Sequence, residues 1–415
     1  MRAPREENWV GGWWVPARSG QVFELASRRE PVSVLAEWPR SSRADVRDAL
    51  AACAEAQAAW RARSRKERRG VLARVPDELE RAPGLGEAMA EALGLEPGEL
   101  AARLEEDLFR FREALEILAE GEPAGGVGLF QAHWSDLAGG LGARLSSSLL
   151  AGRTALVISD PRLPAAAQAV ARALEAAGLP EGVVALLHDD TGESLEAGLG
   201  AELEWVRLKG TEERLRRLES WLPPGSPVTL SRFPVRNRTH VVRRAADPAE
   251  EAERVVEQAF GRSCTLSGQF PGQIGRVLCH QRLFSRFSEE LLARLERSPD
   301  VRAPAPLIEE DLLDHLQGAW ALGLDEGATP VFGGEPPRSG PGMASAERGA
   351  QGAGARRAAR PPRALQPVVF TNVEAFHRLA RLSRPAPLLG LMRAPSDETA
   401  AEQAAELDGL QGAAG

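Results

Sequence analysis

Leu150-Ala151-Gly152-Arg153-Thr154-Ala155-Leu156-Val157-Ile158, then the run Leu163 to Ala177, then Gly178-Leu179-Pro180-Glu181-Gly182-Val183, decides the fold class. Thr154 to Ile158 is apolar and β-branched without alternation, the pattern of a strand buried on both faces. Leu163 to Ala177 reads as a helix, and Gly178 supplies its C-terminal cap. Val183 to His188 returns as a second strand. Strand, helix and strand at this spacing make a parallel crossover unit.

The pattern extends in both directions. Upstream, Gly126 to Gln131 is a short strand and Leu141 to Leu150 a helix rich in small residues. Downstream, Trp205 to Leu208 is a strand and Thr211 to Trp221 a helix. The alternation predicts an α/β fold with a parallel sheet covered on both faces. At the N-terminus, Trp9-Val10-Gly11-Gly12-Trp13-Trp14-Val15 is an apolar stretch broken by a Gly pair that suits a tight turn. Ser19-Gly20 makes another turn, and Val32 to Trp38 reads as a strand. Ser41 and Ser42 precede a helix whose stripe is Val46, Leu50, Cys53, Gln57 and Trp60, which places Cys53 in the core. Further helical segments are Lys66 to Leu79, Leu85 to Leu93 and Glu99 to Leu118.

A second α/β unit runs from Thr239 to about Gly334. Pro336 to Arg363 is rich in Gly, Pro, Ala and Arg without periodicity, and reads as a flexible solvated loop. Val368 to Asn372 resumes as a strand, and a charged helix leads to Gly409 to Gly415. The expected domains are a Rossmann-like unit over 1–235 and a catalytic-type α/β unit over 236–408 containing the loop 336–363. A tail over 409–415 follows.

Composition narrows the function classes. The 415 residues are 43% hydrophobic and 27% charged, a soluble globular mix. No apolar run approaches the roughly 18 residues of a membrane span. The charged start, Met1 to Asn8, has no apolar stretch of a secretory signal. Cys53, Cys264 and Cys279 form neither a disulfide framework nor a metal cluster, so a reducing cytoplasm and no metal are expected. The net charge of −8, with no broad basic block, argues against nucleic acid as a partner. Lys66 and Lys209 are the only lysines.

The order of elements and several local strings resemble the aldehyde dehydrogenase superfamily across nearly the whole chain. The Trp9 to Val15 stretch with Ser19-Gly20 is similar to the family's opening hairpin, and Ala44 to Trp60 with Ser64 to Arg68 to its first helix pair. Leu150 to Thr154 resembles the "AAGNT" entry, and Ala176 to Val183 the "AGLPPGV" helix end. Gly268-Gln269 with Arg276 to His280 resembles the stretch around the catalytic cysteine. Gly327 to Thr329 with Gly333-Gly334 resembles the strand and turn before the long loop. Pro367 to Val373 resembles "PTVFTDV". The resemblance implies a Rossmann-type nucleotide-binding domain plus a second α/β domain, here truncated.

It also implies a chemistry. A thiolate attacks the aldehyde carbonyl, an Asn side chain and the nucleophile's N–H hold the oxyanion, and hydride passes to the nicotinamide. A glutamate then activates water. Each expected position is altered here. Ungapped alignment on Gly268-Gln269 and Arg276 puts Pro271 at the nucleophile, removing thiol and N–H together. Ser135 stands for the oxyanion Asn, and Ser231 for the general-base glutamate of "ELGGK". Ile158 aligns with the ribose lysine of "LKPS", and the "EEIFGP" glutamate falls near Leu382 or Ser383. The "FTGS" turn survives only as Leu208-Lys209-Gly210-Thr211, with Gly210 its remnant.

These departures predict an aldehyde dehydrogenase-like pseudoenzyme that serves as a partner or scaffold for another protein chain, most simply an active aldehyde dehydrogenase subunit. No cofactor is expected, and NAD or NADP would bind weakly. The alternative is an NAD(P)-dependent aldehyde oxidoreductase using a displaced thiol, Cys264, whose Cys264-Thr265 pair resembles the family's nucleophile. Cys279 is expected to be a buried, inert strand residue, and His133 and His240 to be hydrogen-bonded structural histidines. Two assembly elements are also shortened. Glu113 to Gly125 is too short for the family's oligomerisation hairpin, and the chain stops at Gly409-Leu410-Gln411-Gly412, a stretch resembling the "YGLAASVF" strand. An open sheet edge beside Val368 to Thr371 is therefore expected.

Overall fold

A computed structural model describes residues 3–30, 33–117, 125–337 and 364–413. The chain divides into two compact units, Met1–Pro234 and Val235–Gly415.

In the first unit, β1 (Asn8–Val10) and β2 (Trp13–Val15) form a hairpin, with Gly11 and Gly12 at φ 61° and 89°. Both central residues are left-handed, which glycine adopts without a steric cost. A separate antiparallel pair is β3 (Val22–Ala26) and β4 (Val34–Pro39). Val32, read as the start of β4, lies outside the described residues. The strands β5 (Val127–Gln131), β6 (Thr154–Ile158), β7 (Val184–Leu187), β8 (Trp205–Gly210) and β9 (Thr229–Pro234) are mutually parallel. The seven-stranded sheet runs β2-β1-β7-β6-β5-β8-β9. The hairpin thus adds antiparallel strands to one edge of the parallel sheet.

The helices follow from capping and periodicity. Arg43–Ala62 starts with a Ser42–Asp45 capping box and buries Val46, Cys53 and Trp60. Lys66 to Leu79, read as one segment, is two helices, Arg65–Leu72 and Val75–Glu80. Pro76 lies in the first turn of the second, where its missing N–H costs nothing. Helix Leu85–Leu93 has the expected bounds and ends on Gly94, φ 72°. Helix Pro97–Ile117 covers most of the segment expected as Glu99 to Leu118 and includes the start of the Glu113 to Gly125 stretch read as too short for a hairpin; 118–124 lie outside the described residues.

The second unit carries β10 (Arg238–Val242), β11 (Ile274–His280), β12 (Thr329–Phe332), β13 (Val368–Thr371) and β14 (Leu388–Ala394). Their order is β10-β11-β14-β13-β12. This corrects two expectations. The edge beside Val368 to Thr371 is not open, because β12 pairs antiparallel with β13 there. Gly409 to Gly412 is not a strand remnant, because it belongs to the helix Asp397–Ala413. That helix lies against β10, and Asp408 accepts from the N and Oγ1 of Thr239. The stretch read as a flexible loop lies, beyond Pro337, outside the described residues.

Candidate functional site

In parallel α/β sheets ligands bind at the carboxyl ends of the strands, where neighbouring connections leave on opposite sides. In the first sheet β6 and β7 lie to one side of β5, and β8 and β9 to the other. The switch point is therefore between the ends of β5 and β8. Gln131, at the end of β5, accepts a hydrogen bond from the N of Lys209 at 2.9 Å. Lys209 Nζ donates to Oδ1 of Asp136 at 2.5 Å. Arg144, on the helix Leu137–Leu150, donates from Nη1 to the same carboxylate at 3.2 Å. Phe130 and Phe233 flank the Arg144 guanidinium, with ring centroids 4.9 and 4.8 Å away. Burial lowers the Lys209 pKa, and Asp136 opposes that shift. The crevice is thus lined by an interlinked set of the protein's own charged side chains.

Beside it, Trp134–Asp136 forms a 3₁₀ turn. Ser135 N donates to Nδ1 of His133 at 3.2 Å, and its Oγ lies 2.9 Å from the same nitrogen. An accepting Nδ1 places the ring proton on Nε2. Asp160 accepts from Trp134 N at 3.1 Å and from Arg162 Nε and Nη2 at 2.7 and 2.6 Å. Burial would raise its pKa, but the Arg162 guanidinium outweighs that and holds the carboxyl well below the usual range. His188 is fully buried beside Trp38, with Nδ1 2.8 Å from Ser159 Oγ; burial pushes its pKa down to about 3.

In the second unit the loop before β11 is fixed by polar side chains. Leu266, Ser267 and Gly268 take positive φ in succession, 52°, 53° and 89°. Gln269 donates to the carbonyls of Leu266 and Pro306, both at 3.0 Å, and accepts from Ile308 N at 2.9 Å. Arg276 donates to Thr239 Oγ1 at 2.9 Å, the Ala380 carbonyl at 3.1 Å and Asp408 at 3.0 Å. Gln269 thus ties the loop that carries Pro271 to the Pro306–Ile308 segment, while Arg276 ties β11 to β10, to Ala380 and to the helix Asp397–Ala413. Asn237 holds the Leu382–Ser383 segment by donating from Nδ2 to the Leu382 carbonyl and from N to that of Ser383.

The sequence pattern of the aldehyde dehydrogenase family matches residues 14–124 and 99–413. This chain belongs to the aldehyde dehydrogenase family. It is 24% identical over 402 residues to an α-ketoglutarate semialdehyde dehydrogenase of Haloferax volcanii, covering 90% of this chain and 78% of that protein. It is 23% identical over 439 residues to the corresponding Bacillus subtilis enzyme, covering 95% and 81%. Among solved structures, a betaine aldehyde dehydrogenase variant from Staphylococcus aureus in complex with NAD+ superposes with a TM-score of 0.81 at 14% identity, covering 97% of this chain and 82% of that one. An NAD-dependent benzaldehyde dehydrogenase from Corynebacterium glutamicum gives 0.76 at 21% identity, covering 96% and 86%.

Within the aldehyde dehydrogenase fold, the residues singled out from sequence fall in both units. Ser135 and Ser231 lie in the first; Ser231 pairs with Arg207 in the β8–β9 register. Pro271 is half-buried in the second, followed by Gly272 at φ 81°. Cys264 sits on the one-turn helix Arg262–Thr265, where Sγ donates to the Glu257 carbonyl at 3.1 Å. A thiolate there would face a carbonyl oxygen at a helix C-terminus, the wrong polarity for a nucleophile. Cys53 and Cys279 are both fully buried, and desolvation pushes each thiol up to about 12. His240 Nε2 lies 2.6 Å from Glu251 Oε2. Among the described residues no three His, Cys, Asp or Glu side chains are grouped to hold a metal ion, and no helix is long and apolar enough to cross a membrane.

A nicotinamide dinucleotide held in the family's manner needs groups that bond its ribose hydroxyls and an open turn at the start of the following helix. Ile158 is buried and offers no hydrogen bond. A Cβ on Gly210 would stand 3.0 Å from Cδ of Arg214, so that side chain lies over the turn. Lys209 and Asp136 occupy the adjacent crevice. The residues present do not fit the cofactor in that mode. Sequence reasoning missed Asp136, Arg144, Arg207 and Asp160. The available signal was the concentration of ionisable residues at the predicted strand ends, with one of only two lysines among them.

Proposed function

We propose that this chain is a non-catalytic member of the aldehyde dehydrogenase family that acts as a partner or scaffold subunit for another protein chain, most simply an active dehydrogenase. The observation that carries the reading is Pro271 at the position aligned with the nucleophile, in a loop held by Gln269 and at the unchanged spacing to Arg276. Proline has neither thiol nor N–H. Ser231 and Ser135 at the aligned base and oxyanion positions, and the Lys209–Asp136 ion pair in the crevice, support the same conclusion. The relatives are named as dehydrogenases, and this reading departs from theirs at the reacting residues. The orientation of Cys264 gives no support to a displaced nucleophile.

The test has two arms. Purified chain, with Cys264→Ala as control, is assayed for NAD(P) reduction with short and aromatic aldehydes; no turnover is expected, and calorimetry should give weak or no NAD and NADP binding. Light scattering then measures the chain alone and mixed with an active dehydrogenase from the same source, and a mixed complex is expected. Turnover lost in Cys264→Ala would overturn the first arm. A stable homo-oligomer that ignores the companion would overturn the second.

A further inference from the structure

Arg144 is held in place but only partly paired. Its Nη1 meets Asp136, and its faces meet the rings of Phe130 and Phe233. Its Nε and Nη2 are buried and have no hydrogen-bond partner. These two N–H groups lie on one edge of the guanidinium and point the same way, the fork that matches two oxygens of a carboxylate or phosphate. At two other arginines that edge is filled. Arg40 gives Nε and Nη2 to Asp190 at 2.6 and 2.9 Å, and Arg162 gives the same pair to Asp160 at 2.7 and 2.6 Å.

The surroundings add positive charge. Arg207, on β8, donates from Nη1 to the Arg144 carbonyl at 2.8 Å and also to Ser147 Oγ, while its Nε is buried without a partner. Lys209 lies on the same face of β8, two residues on. Asp136 is the carboxylate paired with both Lys209 and Arg144. Arg144 and Lys209 share Asp136, with Arg207 beside Arg144, Arg103 near Lys209 and Asp107 the next carboxylate; at 14% and 17% side-chain exposure for Lys209 and Arg144, water screens these charges poorly. Burial, and then the neighbouring Arg153 and Arg144 charges, push Arg207 down to about 10. On the edge strand β9, Ser231 and Phe233 pair with Arg207 and Lys209 and are half-buried.

We propose that the Nε/Nη2 fork of Arg144, with Arg207 beside it, is a binding site for a small oxyanion, a carboxylate or a phosphate. The inference stands on residues of the first unit and is independent of whether the chain turns over aldehydes or binds a companion.

The full chain is titrated calorimetrically with inorganic phosphate and with succinate at fixed ionic strength, with chloride as the control. Saturable heat with phosphate or succinate but not chloride is expected, and comparison of the two says which oxyanion fits. Arg144→Met should weaken binding by about tenfold or more, the loss expected when charge-assisted bonds go, and Arg207→Met should weaken it less. Arg144→Met also removes a packed guanidinium, so Ser231→Glu gives a second reading. A carboxylate tethered across from Arg207 should raise the melting temperature and abolish the heat of both anions. Absence of saturable binding, or binding unchanged in a folded Arg144→Met or in Ser231→Glu, would overturn the proposal.

Discussion

Lys209 and Asp136, 73 residues apart in sequence, meet at 2.5 Å across the ends of β8 and β5, with 14% and 4% of their side chains exposed. A pair this buried stabilises only as a pair, because removing one partner leaves an uncompensated charge. Lys209→Met should therefore destabilise the first unit by about 2–4 kcal/mol, Arg144 compensating Asp136 in part. The double variant Lys209→Met/Asp136→Leu should recover much of that loss. Urea unfolding of the two variants and the parent gives the comparison, and a single variant within error of the parent would show that the pair is not stabilising.

Asp107 provides a pH dependence with a defined sign. It has 13% side-chain exposure, and burial raises its pKa from 3.8 to about 6 despite Arg103 and Arg110. A raised value means that the folded chain binds the proton more tightly than the unfolded chain. The contribution is present in full below about pH 4 and is lost as pH rises through about 6. Asp107→Asn should remove that loss, worth about 2–3 kcal/mol at neutral pH. The difference between parent and variant stability, followed from pH 4 to 7, should grow with pH; a constant difference would contradict the assignment.

Gly268→Ala should be among the costliest small changes in the second unit. The position has φ 89°, and a Cβ would stand 2.9–3.0 Å from the carbonyls of Ala386 and Ala259 and from Pro387 Cα. All three are backbone atoms that cannot swing aside. A loss of about 2–4 kcal/mol is expected, measured as a shift in denaturation midpoint, whereas Gly272→Ala, with no neighbour within 4 Å, should lose only the smaller strain of a positive φ.

The three thiols should label in two classes. Cys264 is partly exposed, while Cys53 and Cys279 are fully buried with thiols pushed up to about 12. Iodoacetamide followed by peptide mass spectrometry should find Cys264 modified first. Cys53 and Cys279 should react only after unfolding. Labelling of Cys264 much faster than a free thiol would revive the displaced-nucleophile reading.

The sequence by itself determined the α/β class, the strand Thr154–Ile158, the helix Leu85–Leu93 and the Gly11-Gly12 hairpin. These depend on side-chain periodicity and backbone conformation over a few residues, which local sequence encodes. That Pro271 carries no thiol and Ser231 no carboxylate was equally legible, since these are statements of chemistry rather than of shape. Tertiary structure alone decided that β12 closes the edge of β13, and that the chain's end continues as a helix against β10. It alone joined Lys209 to Asp136 and left one fork of Arg144 unfilled. Those outcomes are set by which distant groups meet and which charges lose their water, and spacing along the chain carries neither.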